Sequence, residues 1–205
     1  MKIFTSKQIR QIDDYTIKHE PVASADLMER AAEKLLEWYV EKFEISTPLY
    51  IFVGPGNNGG DGLALARLLA GSSYRPKVCS VEIAAWKSAD WENNMKRLQN
   101  ETNVTFMKIS AIEQFPDITP GSVIIDAIFG SGLSRPADGL AADVIRKINV
   151  TNCRVISIDI PSGLSGEDNS DINPENIILA SYTLSFQFPK LSFLFPENEQ
   201  FVGKW

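Results

Sequence analysis

Between Gly54 and Gly62 the chain places five glycines in nine residues, within Val53-Gly54-Pro55-Gly56-Asn57-Asn58-Gly59-Gly60-Asp61-Gly62. An apolar run, Leu49 to Val53, precedes this stretch, and an amphipathic segment, Leu63 to Leu69, follows it. That order reads strand, glycine-rich turn, helix. Such a turn lets backbone N–H groups come close to a ligand and aims a helix N-terminus at it. Asn57, Asn58 and Asp61 add side chains that bind oxygen-rich ligands or a cation. The same residues also suit an ordinary strand-to-helix turn, and the rest of the chain has to decide between the two.

The rest of the chain alternates. Ser6 to His19 and Ser24 to Phe43 read as two helices broken at Pro21, with Ser24 as N-cap and Asp26 in the first turn. After the Leu49 strand, Asp61 to Leu69 reads as helix, Lys77 to Ile83 as strand and Ser88 to Gln99 as helix. Val104 to Lys108 and Ser122 to Phe129 read as strands, Asp138 to Ile148 as helix, and Arg154 to Ile160 and Ile177 to Phe186 as strands. Several strands are unbroken apolar runs, the mark of strands covered on both faces. The expected fold is α/β: a three-layer αβα Rossmann-like sandwich with a mostly parallel sheet and two N-terminal helices. With 205 residues, the whole chain (1–205) suits one domain.

Ligands of open α/β sheets bind beyond the carboxyl ends of the strands. Four strand ends carry polar or glycine-rich turns: Gly54 to Gly62, Asp126 to Pro136, Asp159 to Gly166, and Phe188-Pro189-Lys190. Asn58, Asp126 and Ser162 offer an amide oxygen, a carboxylate and a hydroxyl, a hard-oxygen set that suits an alkali or alkaline-earth cation rather than zinc. Asp126 equally suits a turn cap. Gly130, Ser131 and Gly132 supply backbone N–H groups and Arg135 a charged donor, a set that suits phosphate, though Arg135 also suits a solvated loop. Asp159 ends an apolar strand, and partial desolvation would make it a candidate acid/base; capping a turn is the alternative. Lys190 lies between apolar residues, where it either orients a substrate oxygen or reaches the surface.

Other chemistries fit poorly. Gly54-Pro55-Gly56-Asn57-Asn58-Gly59 has the G-x-G-x-x-G spacing, yet the acidic ribose ligand expected about 20 residues on is not evident, and no Gly-Lys-Ser/Thr follows. The single histidine, His19, lies in a polar segment, which disfavours Ser–His or Cys–His nucleophile systems. Cys79 and Cys153 sit in strand-like runs and read as two buried free thiols in a reducing compartment. The formal charge of −6 argues against a nucleic-acid partner. No apolar run approaches the roughly 20 residues of a membrane span, so a cytoplasmic location without a membrane partner is expected.

The glycine stretch, together with Asp126-Ala127-Ile128-Phe129-Gly130-Ser131-Gly132 and Asp159-Ile160-Pro161-Ser162-Gly163, resembles the YjeF N-terminal domain family, which contains the NAD(P)H-hydrate epimerases. Leu27-Met28-Glu29-Arg30-Ala31-Ala32, Thr183-Leu184-Ser185-Phe186 and Pro189-Lys190 extend the resemblance to nearly the whole chain. It implies epimerisation at C6 of the nicotinamide ring of hydrated NADH or NADPH, a bound potassium ion (K+), and a homodimer. It further implies Asn58, Asp126 and Ser162 as potassium ligands. Asn57, Asn58, Gly59, Gly60, Asp61, Gly130, Ser131, Gly132, Leu133, Ser134, Arg135, Pro136 and Asp159 become substrate-binding positions. Asp159 is the expected catalytic residue, with Lys190 as a supporting donor. The end at Trp205 fits the N-terminal half of a fusion to an ADP- or ATP-dependent dehydratase, whose domain would then be absent here. One departure is Gln187-Phe188, where a smaller, more glycine-like residue is expected. A non-catalytic nucleotide- or protein-binding scaffold of the same fold is the alternative; it would have no need of Asn58, Asp126, Asp159 and Ser162 together.

Overall fold

The computed structural model describes residues 2–20 and 23–205. Six strands form one sheet: β1 (Leu49–Val53), β2 (Pro76–Val81), β3 (Thr105–Ile109), β4 (Val123–Ala127), β5 (Arg154–Ile158) and β6 (Tyr182–Leu184). Their spatial order is β3-β2-β1-β4-β5-β6 and every pair is parallel. This is the doubly wound order that reverses direction between β1 and β4, where such sheets open a crevice. The helices are α1 (Ser6–His19), α2 (Ser24–Val40), α3 (Asn57–Gly71), α4 (Ala89–Glu101), α5 (Gly139–Asn149) and the short α6 (Glu199–Val202).

β1 explains the three layers. All five residues are buried, and their side chains alternate between the two faces. Leu49, Ile51 and Val53 join one core with Leu35 and Tyr39 of α2, Leu63, Leu65 and Leu69 of α3, and Met95 and Leu98 of α4. Tyr50 and Phe52 join the other core with Val144, Ile145 and Ile148 of α5.

The expected break at Pro21 lies outside the described residues. Three other expectations change. Ala23, not Ser24, caps α2, and Ser24 Oγ instead donates to Asp90 Oδ2 at 2.7 Å. Of the run from 177 to 186 only Tyr182–Leu184 is strand, because the preceding N–H groups are taken elsewhere: Ile178 by Ser162 O, Leu179 by Asn149 Oδ1, Ala180 by Phe201 O. Both cysteines are free, but only Cys79 is fully buried.

The glycine stretch itself is mostly helix, since α3 begins at Asn57. Glycine is costly inside a helix, so its presence there needs a packing reason. A Cβ on Gly59 would stand 2.0 Å from the Gly54 carbonyl oxygen, and one on Gly62 would stand 2.7 Å from the Ala127 Cβ. These glycines let α3 descend onto β1 and β4. The same helix carries buried Arg67, whose guanidinium meets Glu29 of α2 at 2.5 Å and Glu101 of α4 at 3.2 Å. Arg97 of α4 adds a second contact to Glu29 at 2.8 Å.

Two outcomes are expected. Gly59→Ala gains helix propensity of about 1 kcal/mol but meets backbone it cannot displace, so it destabilises by about 2 kcal/mol and lowers Tm by roughly 5 °C in a thermal melt. Burial pushes Glu29 up, but its bonds to Arg67 and Arg97 outweigh this and hold the carboxyl below its usual range. A carboxyl lowered in this way contributes stability above its unfolded value, and that contribution is lost as pH falls through the lowered folded value. Glu29→Gln therefore lowers Tm at neutral pH, with about 2 kcal/mol lost, and the deficit shrinks below about pH 4.

Candidate active site

The carboxyl ends of β1, β4, β5 and β6 converge, and each supplies part of one site. Near the end of β4 stands Asp126, which has no solvent exposure. Its Oδ2 accepts from Ser157 Oγ and from Ser162 N–H, both at 2.8 Å, while Oδ1 accepts from Ser162 Oγ at 2.5 Å and from Ile128 N–H at 3.3 Å. Burial pushes this carboxyl above its ordinary range, and the hydrogen bonds from Ser162, Ser157 and Ile128 partly offset the rise. Ser157 is a partner that the sequence did not single out; a serine inside an apolar strand carries no distinctive signal.

Asn58 joins this group through Phe129. Its Nδ2 donates to Phe129 O at 2.8 Å, and Phe129 N–H donates to Ser162 Oγ at 2.8 Å. The carbonyl fixes which end of the amide is nitrogen, and leaves Asn58 Oδ1 buried without a partner. A buried acceptor without a donor is a costly arrangement that a cation removes. Asn58, Asp126 and Ser162 thus lie in one connected cluster, and the donor set is oxygen throughout. Among the described residues no group of three or more His, Cys, Asp or Glu side chains could hold a metal ion. The residues fit a hard, weakly demanding cation such as potassium.

Asp159 follows β5 with φ +69. Ile160 N–H donates to Ile158 O at 2.9 Å across it, which makes Asp159 the centre of a γ-turn in the strained, positive-φ form. Its N–H is held by Leu184 O of β6 at 2.9 Å. The carboxylate accepts from Ser131 N–H at 2.8 Å through Oδ2 and meets Lys190 Nζ at 2.7 Å through Oδ1. Lys190 is only 1 % exposed, which excludes the surface reading of this residue. Gly130 lets the loop close over this pair: a Cβ there would stand 3.1 Å from Asp159 Oδ2 and 3.2 Å from Asn58 Cβ.

Gln187 repeats the device after β6. Its φ is +57, and Phe188 N–H donates to Phe186 O across it. Left-handed backbone explains why a glycine-like residue is expected there. Turns of this kind cost on the order of 1–3 kcal/mol each and concentrate at functional sites. Gln187 Nε2 also donates to Asp13 Oδ1 of α1 at 2.5 Å. Asp13 was missed by the sequence reading, and only the long-range fold brings it here.

Asp61, in the second turn of α3, adds a further carboxyl to this side. Burial holds its carboxyl well above the usual range, and Asp159, Asp90 and Asp13 raise it further. Burial likewise raises Asp13, its bond from Gln187 opposing this and the nearby Asp159 adding to it.

The remaining expected positions divide. Asn57 is exposed at the start of α3, whose N-cap Gly56 makes no side-chain cap bond. The first N–H groups of α3 therefore face the crevice uncapped. Gly59 and Gly60 are buried, and a Cβ on Gly60 would meet Met28 Sδ at 3.0 Å; their side-chain faces serve helix packing. Ser131 N–H is spent on Asp159 and Leu133 N–H on Gly130 O, while the N–H groups of Gly130 and Gly132 have no hydrogen-bond partner among the described residues. Ser134, Arg135 and Pro136 are exposed at its rim beside half-buried Leu133.

Known proteins resemble this arrangement. A family model described as "YjeF-related protein N-terminus" matches residues 24–192. An NAD(P)H-hydrate epimerase of Lentilactobacillus buchneri is 34% identical over 98% of this chain and 90% of its own length. One of Weissella koreensis is 35% identical over 97% and 86%. A bifunctional NAD(P)H-hydrate repair enzyme of Dictyoglomus turgidum is 32% identical over the full chain, which spans 39% of that protein. Among solved structures, the yeast protein YNL200c shares the fold with TM-score 0.72 at 23% identity, over 93% of this chain and 82% of that one. The family match, the relatives of near-equal length and the fold agree: the chain belongs to the YjeF-related N-terminal family.

Proposed function

We propose that this protein is an NAD(P)H-hydrate epimerase, an isomerase of nucleotide repair that interconverts the R and S forms of hydrated NADH or NADPH at C6 of the nicotinamide ring. The observation that carries the reading is the Asp159–Lys190 pair, 2.7 Å apart and almost wholly buried, at the switch point of a doubly wound sheet. A scaffold has no use for so costly a pair in a crevice.

The substrate carbon bears a hydroxyl beside the ring nitrogen. Breaking the C6–O bond, with the nitrogen lone pair forming a C=N bond, gives an iminium ion, and the departing hydroxyl takes up a proton to leave as water. A water then adds to the opposite face and gives up one proton, so the proton count closes over the cycle. Lys190 and Asp159 are the proposed donor and acceptor of those protons. The uncapped start of α3 and the Gly130–Gly132 loop, with Arg135 at the rim, suit the pyrophosphate and further phosphate of the dinucleotide. Asn58, Asp126 and Ser162 would hold potassium, whose positive charge would fix the start of α3 and the 129 loop and offset nearby phosphate charge. A cooperating ADP- or ATP-dependent dehydratase acting on the S form, a homodimer and a cytoplasmic setting complete the proposal; no described helix is long and apolar enough to cross a membrane.

The direct test adds the purified protein to the R form of hydrated NADH and follows the S form by NMR. Conversion well above the spontaneous rate is expected, and conversion at the spontaneous rate contradicts the reading. Lys190→Met, close in volume but without charge, is expected to lower kcat by about tenfold to a hundredfold. For the cation, replacing N-methylglucamine chloride by potassium chloride at equal ionic strength should raise Tm by roughly 3 °C. Asn58→Ala should remove that increment, and an unchanged increment would count against the assigned ligands.

A further inference from the structure

Helix α1 precedes every motif that marks the family, yet it reaches the site from outside the sheet. It is anchored at two points. Ser6 N–H and Oγ both donate to Glu167 Oε1, at 2.6 and 2.9 Å, and the Phe4 and Phe188 rings meet edge to face with centroids 4.6 Å apart. Two turns further along α1, Asp13 Oδ1 accepts from Gln187 Nε2.

From Gln187 a chain of contacts leads inward. Gln187 centres the strained turn closed by Phe188 N–H and Phe186 O. The carbonyl of Phe188 then takes two donors, Ser185 Oγ at 3.1 Å and Lys190 Nζ at 3.5 Å. Lys190 Nζ meets Asp159 Oδ1, and Asp159 Oδ2 holds Ser131 N–H. A glutamine has no intrinsic reason to stay at φ +57, since its Cβ is crowded there. Its outward end must be held, and the group that holds it is Asp13.

We infer that Asp13 is a positioning residue for the epimerisation: by accepting from Gln187 it keeps the Phe186–Phe188 turn closed, which places the Phe188 carbonyl and so the ammonium of Lys190 against Asp159. The inference rests on the reading of Asp159 and Lys190 as the proton-handling pair. It assigns α1 a part in the reaction and explains why this chain tolerates glutamine where a glycine-like residue is expected. Glycine would adopt the turn unaided, whereas glutamine adopts it because the N-terminal helix restrains it.

Two features separate this role from a direct chemical one. Asparagine at position 13 keeps the accepting oxygen but cannot exchange a proton. Glycine at position 187 removes the need for the restraint. Asp13→Ala is therefore expected to lower kcat about tenfold with KM within about twofold, a loss typical of a misplaced catalytic group. Asp13→Asn should retain most of the wild-type kcat, and the double variant Asp13→Ala/Gln187→Gly should recover most of it. Tm is measured for each, so that loss of folding is not read as loss of positioning.

The inference is overturned if Asp13→Ala turns over at the wild-type rate, if Asp13→Asn is as impaired as Asp13→Ala, or if Gln187→Gly restores nothing. Lys190→Met run alongside separates the two levels. Wild-type activity in Lys190→Met defeats the underlying reading. Impaired Lys190→Met with unimpaired Asp13→Ala defeats only the role of Asp13.

Discussion

The ion pair between Lys190 and Asp159 sets the terms for the rest of the structure. An ammonium with 1 % exposure is tolerable only with a carboxylate beside it and further acceptors for its protons. The carboxylate can stand there because β5 stops at Ile158 and the next residue turns with φ +69. The ammonium can stand there because β6 is three residues long and its continuation folds back through a second turn of the same kind at Gln187. A longer β6 would carry Lys190 out of reach. As the last strand in the order, β6 presents a sheet edge, which the C-terminal segment covers: Thr183 N–H donates to Lys204 O, Lys204 N–H to Ser181 O, and Thr183 Oγ1 to Val202 O.

The second constraint is the close approach of loops at the switch point. Gly54, Gly59 and Gly130 each occupy places where a side chain would meet neighbouring atoms, and the resulting closeness joins Asn58, Phe129 and Ser162 into one cluster beside the ion pair. The two halves share the 129–131 segment: Phe129 serves the oxygen cluster and Ser131 serves Asp159. A cation held at the first would therefore bear on the geometry of the second.

The residues of this site were legible in the sequence to the extent that they follow strands. Asp126, Asp159, Ser162 and Lys190 were found because unbroken apolar runs mark buried parallel strands, and ligands collect at their carboxyl ends. What was not legible depends on contacts far apart in the chain. Asp13 meets Gln187 across 174 positions, and Ser157 is an ordinary strand residue until Asp126 is placed beside it. The start of α3 at Asn57 contradicts local propensity, because packing on β1 and β4 outweighs the cost of Gly59, Gly60 and Gly62 near the start of a helix. The truncation of β6 was hidden for the same reason, its neighbouring N–H groups being claimed by Ser162, Asn149 and Phe201.

The central claim is that the strained, half-buried Asp159 does the chemistry. It is tested most directly by Asp159→Asn, which keeps the shape of the side chain and removes its ability to carry a proton. With a folded protein confirmed by its melt, the rate of R to S conversion is measured beside the wild type. The account predicts a fall of about a hundredfold or more; a folded Asp159→Asn protein that epimerises at the wild-type rate would contradict it.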